Sequence, residues 1–236
     1  MATRNEIIYS IRNLAYGGIT SSEATISTAQ IAFWIDVERA KLMKEEFEKN
    51  KALSPIWIQD LGCVEVTCAD KVECCDFGCG SDEYIYKTVL PIPRPVNINW
   101  SGIHNNTLIT YVGLATHDMP FEFTAEPIAQ WARFKRWTPK KPRAFLRGQH
   151  IYITNIRNPS HLEVINIKGV FENPDKVVEF VTCGENCITG ENEYPIPTHL
   201  LSPLQQLVYD KWLRPAMGTN TDYENNSNPV KPAEPA

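Results

Sequence analysis

The chain has 236 residues, of which 43% are hydrophobic and 22% are charged, and its formal net charge at pH 7 is −5. This composition is ordinary for a globular protein with a buried core, and the acidic balance argues against a dedicated nucleic-acid binder. Apolar runs stay well short of the roughly 20 residues that span a bilayer, and residues 1–6 lack the pattern of a signal peptide. We therefore expect a soluble protein made in the cytoplasm, without a membrane partner.

Two helices are predicted in the first 54 residues. Thr3 and Glu6 have the spacing of a capping box, which begins a helix, and Gly17-Gly18 predicts the end of this first helix. A second box at Ser27 and Gln30 predicts a longer helix that runs to about residue 50. At a rise of 1.5 Å per residue, this second helix is about 35 Å long.

The second helix carries more apolar surface than one buried face requires. Its larger apolar side chains fall on more than one stripe: Ile31, Phe33, Trp34, Ile35, Val37, Leu42, Met43 and Phe47. Such breadth is typical of a helix that contacts its own domain on one side and another subunit on the other. We therefore predict that Trp34, Val37 and Phe47 bind a partner.

Residues 55–168 have the composition of β structure. Proline, β-branched and aromatic residues replace the helical pattern, and strands are predicted at 84–90, 108–112 and 150–153. Residues 143–154 have the pattern of a hairpin with its turn at Arg147-Gly148. Pro-Ile-Pro-Arg-Pro at 91–95 indicates an extended edge or crossover. The sequence predicts an antiparallel β domain in this region.

Helices are predicted again between residues 169 and 213. Asn173 and Pro174 begin a short helix to about residue 182, and Ser202 caps a last helix that ends at Arg214-Pro215. The apolar face of this last helix is expected to pack on the first two. We predict an α+β fold: a helical base from residues 1–54 and 169–213, an inserted antiparallel β domain at 55–168, and an extended C-terminal tail at 214–236.

The tail has too few apolar groups to fold by itself. Its 23 residues include four prolines and four asparagines, and its sizeable apolar side chains are Met217, Tyr223 and Val230. A segment of this kind buries too little surface to offset the entropy lost on ordering it. We predict that these three side chains bind a neighbouring subunit.

The sequence lacks the short motifs of catalysis. It contains no nucleophile elbow, phosphate loop, dinucleotide fingerprint or metalloprotease helix, and its five histidines are scattered without ligand spacing. His117-Asp118 is an adjacent acid–base pair and Cys75 a conceivable nucleophile, but nothing marks that thiol as activated. We expect neither an enzyme nor a cofactor.

Seven cysteines leave two interpretations open. Cys74 and Cys79, together with Cys183 and Cys187, supply four thiolates that could hold zinc. Their spacings differ from the two-residue gap of common zinc knuckles, and no histidine lies within the cluster. Reduced thiols or late-forming disulfides are therefore favoured over a metal site.

The charges are segregated along the chain. Residues 127–162 contain no acid but eight basic residues, interleaved with aromatic ones, whereas residues 60–83 are acidic. Three interpretations remain open: docking of a subunit or partner, a solvated basic hairpin, and nucleic-acid binding by a ribbon at 131–147. Docking is favoured because the whole chain is acidic, and its predicted contacts are Arg133, Lys135, Arg136 and Lys140.

Several short motifs, in this order, resemble a known family. They are Glu-Ile-Ile-Tyr-Ser-Ile at 6–11, Arg-Ala-Lys-Leu at 39–42, Leu-Gly-Cys-Val-Glu at 61–65, Asp-Lys-Val-Glu-Cys-Cys at 70–75, the proline run at 91–95, Gly-Val-Phe-Glu-Asn-Pro at 169–174 and Glu-Tyr-Pro-Ile-Pro at 193–197. Together they cover most of the chain except the tail. The chain resembles the head-to-tail adaptor, or ring, proteins of short-tailed phages, most closely those of crAss-like phages.

The resemblance implies a role in the neck or tail of a virion, in a protein made in the host cytoplasm. Such adaptors form rings of identical subunits, expected here to be dodecameric, beneath the portal protein. The ring continues the DNA channel towards other tail or ring proteins, with transient contact to passing DNA. Because a cyclic ring uses heterologous contacts, each copy presents two different faces.

Overall fold

The computed structural model describes residues 2–16, 26–50, 52–70, 72, 84–98, 107–116, 119–131, 141–156, 162–182 and 193–218. Its helices are α1 (Arg4–Tyr16), α2 (Thr28–Asn50), α3 (Glu126–Trp131), α4 (Pro174–Thr182), α5 (Leu201–Val208) and α6 (Arg214–Gly218). Its strands are β1 (Gln59–Cys68), β2 (Tyr84–Thr88), β3 (Ile109–Leu114), β4 (Glu122–Phe123), β5 (Arg143–Arg147), β6 (His150–Ile156) and β7 (Val164–Gly169). The predicted α+β class is confirmed.

Both predicted capping boxes lie at helix starts. The backbone N–H of Thr3 donates to Glu6 Oε2 at 2.8 Å, and the N–H of Glu6 donates to Thr3 Oγ1 at 3.3 Å. At the start of α2, the N–H of Gln30 donates to Ser27 Oγ at 3.2 Å. Asn173 caps α4 in the same way, through its Oδ1. Each of these side chains satisfies N–H groups that the helix itself leaves unpaired.

The last helix differs from its prediction at both ends. It begins at Leu201, directly after a 3₁₀ turn at Thr198–Leu200, so Ser202 lies inside the helix and is not its cap. A π turn at Tyr209–Leu213 then leads into α6, where the N–H of Arg214 donates to Tyr209 O, five residues back. Proline cannot donate a helical hydrogen bond and crowds the preceding turn, and the widened turn before Pro215 lets the helix continue. Helix α6 therefore occupies the first five residues of the predicted tail.

Helices α1, α2 and α5 pack around one core, as predicted. Tyr194 and Ile196, in the extended segment that leads to α5, are buried with them. Trp34 of α2 stacks on Trp212 in the π turn, with ring centroids 5.7 Å apart. The fully buried aliphatic residues of the three helices are Ile7, Ile11, Ile31, Ile35, Leu204 and Val208. These residues form the core of the helical base.

The β part is a seven-stranded sheet with the order β3-β7-β1-β2-β6-β5-β4. Neighbouring strands are antiparallel, as predicted, except that β4 and β5 run parallel. Parallel neighbours need a crossover connection, and the segment between β4 and β5 contains α3. The sheet is therefore mixed, and the hairpin predicted at 143–154 is its β5–β6 pair.

The two edges of this sheet are joined to each other. Across the turn between β3 and β4, the N–H of Phe121 donates to Val112 O at 2.7 Å and the N–H of Leu114 donates to Met119 O at 3.2 Å. The sheet thus closes into a barrel. Closure pairs backbone groups that an open sheet would expose at its edges.

The barrel encloses a second core, which is separate from that of the helices. Its buried aliphatic residues include Leu61, Val64, Ile151, Ile153, Ile165 and Ile167. In β1, the register against β7 shifts between Asp60 and Cys63, and Gly62 lies in this bulge with φ 67°. The bulge explains why Leu61 and Val64, three residues apart, both point into the core. The helical core also contains Trp57, Val96, Ile98 and Leu108 from residues 55–168, and the barrel core contains Val177 of α4. The predicted domain boundaries remain a prediction.

Gly62 is a position at which backbone conformation alone should control stability. An added Cβ meets nothing within 4 Å, but the positive φ disfavours most side chains. We expect Gly62→Ala to lower the free energy of unfolding by about 1 kcal/mol. Gly62→Asn should cost less, because asparagine adopts left-handed conformations more readily. Urea unfolding of both variants measures the difference, and equal losses would contradict a conformational cause.

Candidate assembly surfaces

Arg39 of α2 connects the helical base to the barrel. Its side chain is fully buried, and it donates from Nη1 to Phe171 O at 3.0 Å and from Nε to Pro195 O at 2.9 Å. The guanidinium also lies over the rings of Trp57 and Tyr194, 5.4 and 5.5 Å from their centroids. A buried charge is tolerated only with such partners. The position of α2 relative to the barrel core is therefore fixed by one side chain with four contacts.

Asp36, one turn before Arg39, connects three further segments. Its Oδ1 accepts a hydrogen bond from the Tyr194 hydroxyl at 2.8 Å, and its Oδ2 accepts one from Arg4 Nη2 at 2.6 Å. Arg4 also forms an ion pair with Asp175 in α4. The start of α1, the middle of α2, the start of α4 and the lead-in to α5 thus share one network of charges and hydrogen bonds.

The buried position of this network shifts the acidities of its members. Burial raises the pKa of the Asp36 carboxyl above its usual 3.8, although Arg4 and the Tyr194 hydroxyl oppose the shift. Burial also raises the pKa of the Tyr194 phenol well above 10. Desolvation disfavours the charged form of both groups, and the surrounding donors and cations compensate it in part. The network is therefore a buried structural connection between four segments of the chain.

Glu38 anchors the π turn to α2. Its carboxylate, which is 3% exposed as a residue, accepts hydrogen bonds from Lys211 Nζ at 2.9 Å and from Trp212 Nε1 at 3.1 Å. The indole of Trp212 is thereby oriented for its stack on Trp34. Trp34, predicted to bind a partner, is 6% exposed and already covered by its own chain.

One face of α2 is left uncovered by the residues that the structure describes. Phe33 is 63% exposed and Val37 is 39% exposed, and their four-residue spacing places them side by side on the helix. Phe47, the third residue predicted on this helix, is partly buried against the helical core. We call Phe33 and Val37 the α2 face. The sequence analysis listed Phe33 among the apolar residues of this helix, but the partner-binding residues that it predicted were Trp34, Val37 and Phe47.

The other predicted contact residues fall outside the described residues. These are Arg133, Lys135, Arg136, Lys140, Tyr223 and Val230, the four candidate zinc ligands Cys74, Cys79, Cys183 and Cys187, and the pair His117-Asp118 with Cys75. Met217 lies in α6, but its side chain is likewise outside the described part. Their roles remain predictions.

Two arginines in the described part of the basic ribbon lie near acids that precede them in the chain. Arg143 is fully buried, and its Nε lies 3.1 Å from Glu122 Oε2 in β4. Arg147 Nε lies 3.8 Å from Glu126 Oε1 in α3. A guanidinium that is buried against a carboxylate is poorly placed to bind a phosphate backbone. These two residues therefore contribute little to the nucleic-acid interpretation.

An apolar groove on the barrel was not predicted from the sequence. It has a volume of about 220 Å³ and is lined by Leu61, Cys63, Val64, Glu65, Val89, Leu90 and Phe180. Val89 and Leu90, at the end of β2, are 46% and 50% exposed. The N–H of Val89 donates to Glu65 O at 3.0 Å, which fixes the rim beside the Glu65 carboxylate. We call this feature the β1–β2 groove.

The described residues offer little for catalysis. Among them, no group of three or more histidine, cysteine or acidic side chains lies close enough to hold a metal ion. Of the five histidines, the structure describes His150, whose Nδ1 lies 2.8 Å from Thr88 O, and His199, which lies 3.8 Å from Glu46. Within the same residues, no helix is long and apolar enough to cross a membrane.

Replacing Arg39 should lower the free energy of unfolding by more than replacing a surface arginine does. Arg39→Met removes two hydrogen bonds from a buried cation and should lower the free energy of unfolding by about 3 kcal/mol. Arg12→Met is the matched control. This substitution removes an exposed hydrogen bond from Arg12 in α1 to Thr28 Oγ1 at the start of α2. It should lower the free energy of unfolding by about 1 kcal/mol or less. Equal losses in urea unfolding would show that Arg39 does not connect the two cores.

Asp36 should give stability a pH dependence opposite to that of a surface ion pair. Because its pKa is raised on folding, the folded state holds this proton more tightly than the unfolded chain does. The free energy of unfolding, taken relative to Asp36→Asn, should fall as pH rises from below 3.8 through the raised pKa, and then level off. Urea titrations of both proteins at a series of pH values measure this difference, and a rise over the same interval would contradict it.

Comparison with known proteins identifies the family. A family model described as phage tail ring protein 2, defined for crAss-like phages, matches residues 6–233. No curated protein matches the chain. The match includes the helical base, the barrel and most of the last segment, and it confirms the resemblance found in the sequence. The chain therefore belongs to the phage tail ring protein 2 family of crAss-like phages, and it is a structural protein of the virion tail.

Proposed function

We propose that this protein is a ring-forming adaptor that joins the portal to the tail and continues the DNA channel, without catalysis. Membership of a tail ring family supports a structural role in an assembly. The observation that carries the proposal is the α2 face, where Phe33 and Val37 are exposed on a helix whose other faces are buried in the chain. Apolar side chains clustered on an otherwise satisfied helix are typical of an interface.

The proposed partners are other copies of the chain, the portal protein and other ring proteins of the tail. A cyclic ring requires heterologous contacts, in which one face of a subunit meets a different face of the next. The α2 face supplies one such surface. We expect twelve copies in the ring, a number that comes from the resemblance to adaptor proteins.

The connection between the two cores suits a protein that transmits force between the portal and the tail. An adaptor holds the portal at one end and later tail proteins at the other, so its two parts must not move independently. The hydrogen bond from Arg39 to Phe171 O and the ion pair of Arg4 with Asp175 of α4 join the helical base to the barrel side of the molecule. Buried polar networks of this kind favour one rigid arrangement.

Contact with passing DNA is proposed to be weak. With a net charge of −5, a ring of identical chains repels a polyanion overall, which keeps DNA from adhering to the channel wall. The basic residues between 133 and 140 are the proposed points of transient attraction. Replacing Arg133, Lys135 and Arg136 by glutamine distinguishes the alternatives: a nucleic-acid-binding module would lose salt-sensitive retention on a polyanion column, and a docking ribbon would lose assembly.

The α2 face can be tested by a double substitution. Phe33→Ser with Val37→Ser should leave the melting temperature nearly unchanged, because both residues are already exposed in the single chain. It should weaken assembly by more than about a hundredfold, since burial of a phenylalanine contributes about 1.5–3 kcal/mol and valine adds to it. Native mass spectrometry of the protein with its portal measures the assembled fraction.

Met119→Ser provides the control for this substitution. Met119 is 45% exposed, but it lies on the barrel, in the turn between β3 and β4. We expect this variant to assemble like the wild type. Unchanged assembly of the Phe33/Val37 variant would exclude the α2 face as the contact surface.

A further inference from the structure

We propose that the β1–β2 groove binds the Pro-Val-Lys-Pro segment at residues 229–232 of a neighbouring copy. This inference rests on the proposed ring, and it assigns a surface and a segment to one of the contacts within it. Three observations carry it: the chemistry of the groove, the composition of the chain outside the described residues, and the charge at the rim.

The groove has the dimensions and lining of a peptide anchor site. Its floor is formed by Leu61 and Val64, and its exposed rim by Val89 and Leu90. A volume of about 220 Å³ lies below the roughly 300–1,000 Å³ of typical small-molecule pockets. It suits a branched aliphatic side chain with a flanking proline. Burial of Val89 and Leu90 would remove two large apolar side chains from water.

The segment at 219–236 supplies one matching side chain. Val230 is its only aliphatic residue larger than alanine, and Pro229 and Pro232 flank it. Prolines favour an extended polyproline conformation, so the segment loses little entropy when it binds in a groove. Val230 lies 12 residues beyond Gly218, where the described residues end, and 12 extended residues can span about 40 Å, enough to reach another subunit.

A charge at the rim of the β1–β2 groove would determine how the segment at 229–232 is aligned in the groove. The carboxylate of Glu65 is exposed and makes no ion pair with any residue that the structure describes. Lys231 follows Val230 directly, so a valine in the groove would place this ammonium next to the Glu65 rim. Residues 73–83, another segment outside the described part, contain four acids and no base, and they would be repelled from the same rim.

A native thiol makes the contact testable. Cys63 lines the groove and is exposed and free. A chain carrying Val230→Cys and Cys63→Ser, labelled with a tag, is mixed with wild-type chain under conditions of ring assembly and then oxidised. The proposal predicts a disulfide between Cys63 of the wild-type chain and position 230 of the tagged chain, identified by peptide mass spectrometry. Because the two positions would be close together in the ring, the yield of this disulfide should be at least about ten times the yield of disulfides at position 230 in the control described next.

The control uses Cys63→Ser in both chains. Cys68 remains as an exposed thiol on the same strand but outside the groove, so it measures random oxidation. A disulfide formed within one chain, in the Val230→Cys variant that keeps Cys63, would overturn the assignment to a neighbour. Rings that assemble without the 63–230 disulfide would overturn the groove contact and leave the adaptor function intact. Failure of the wild type to assemble at all, even with portal, would overturn both.

A charge reversal gives a second, independent measurement. Glu65→Lys should weaken assembly by about tenfold, because the rim then repels Lys231, and Lys231→Glu in the same chain should restore it. Glu163→Lys is the matched control, since Glu163 is an exposed acid beside β7 that does not line the groove. Loss of assembly in the Glu65 variant without rescue in the double variant would contradict the pairing.

Discussion

The structure depends on a buried arginine. Arg39 carries a positive charge that has no access to water, so its hydrogen bonds and aromatic contacts must all be made within the chain. Two of its acceptors, Phe171 and Pro195, belong to segments that are far from α2 in sequence. The segment that follows β7, the lead-in to α5 and the middle of α2 thus converge on this one guanidinium. These contacts of Arg39 stabilise the observed placement of the helical base on the barrel.

Closure of the barrel decides which kinds of contact remain for neighbours. An open sheet offers its edge strands to other chains, and assembly by strand addition is then possible. Here the β3–β4 turn joins the edges through the hydrogen bonds of Phe121 and Leu114. The backbone at this turn is already paired, so we expect contacts between subunits to use side chains on helices and grooves. This explains why the exposed apolar groups of interest, Phe33 with Val37 and Val89 with Leu90, lie beside backbone that is already paired.

Local features of the sequence predicted local structure well. The capping boxes at Thr3 and Ser27 lie where they were predicted. The hairpin turn lies one residue later than predicted, at Gly148-Gln149, because Arg147 still pairs with His150. Each of these features involves residues within a few positions of one another. Long-range features were not accessible, because no short pattern encodes the parallel pairing of β4 with β5 or the closure of the sheet. For a similar reason, the sequence could not show which of Phe33 and Trp34 in α2 is exposed and which is buried. Phe33 and Trp34 are equally apolar, and only the stack on Trp212, 178 positions away, determines which of them is buried.

The helical base and barrel on one side, and the segment at 219–236 with its few apolar residues on the other, have complementary tasks in a ring. The body, held by the Arg39 and Asp36 networks, fixes the angle between successive subunits, and that angle determines how many copies close the ring. A segment with a single aliphatic anchor contributes affinity without setting this angle, because its many other residues span the gap between subunits in several ways. Errors in the body would therefore change the size of the ring, whereas errors in the segment would change how firmly it holds. If the proposed groove contact forms, the Glu65 rim and the lysine beside Val230 lie on one chain, so each copy would act as receptor for one neighbour and ligand for the other.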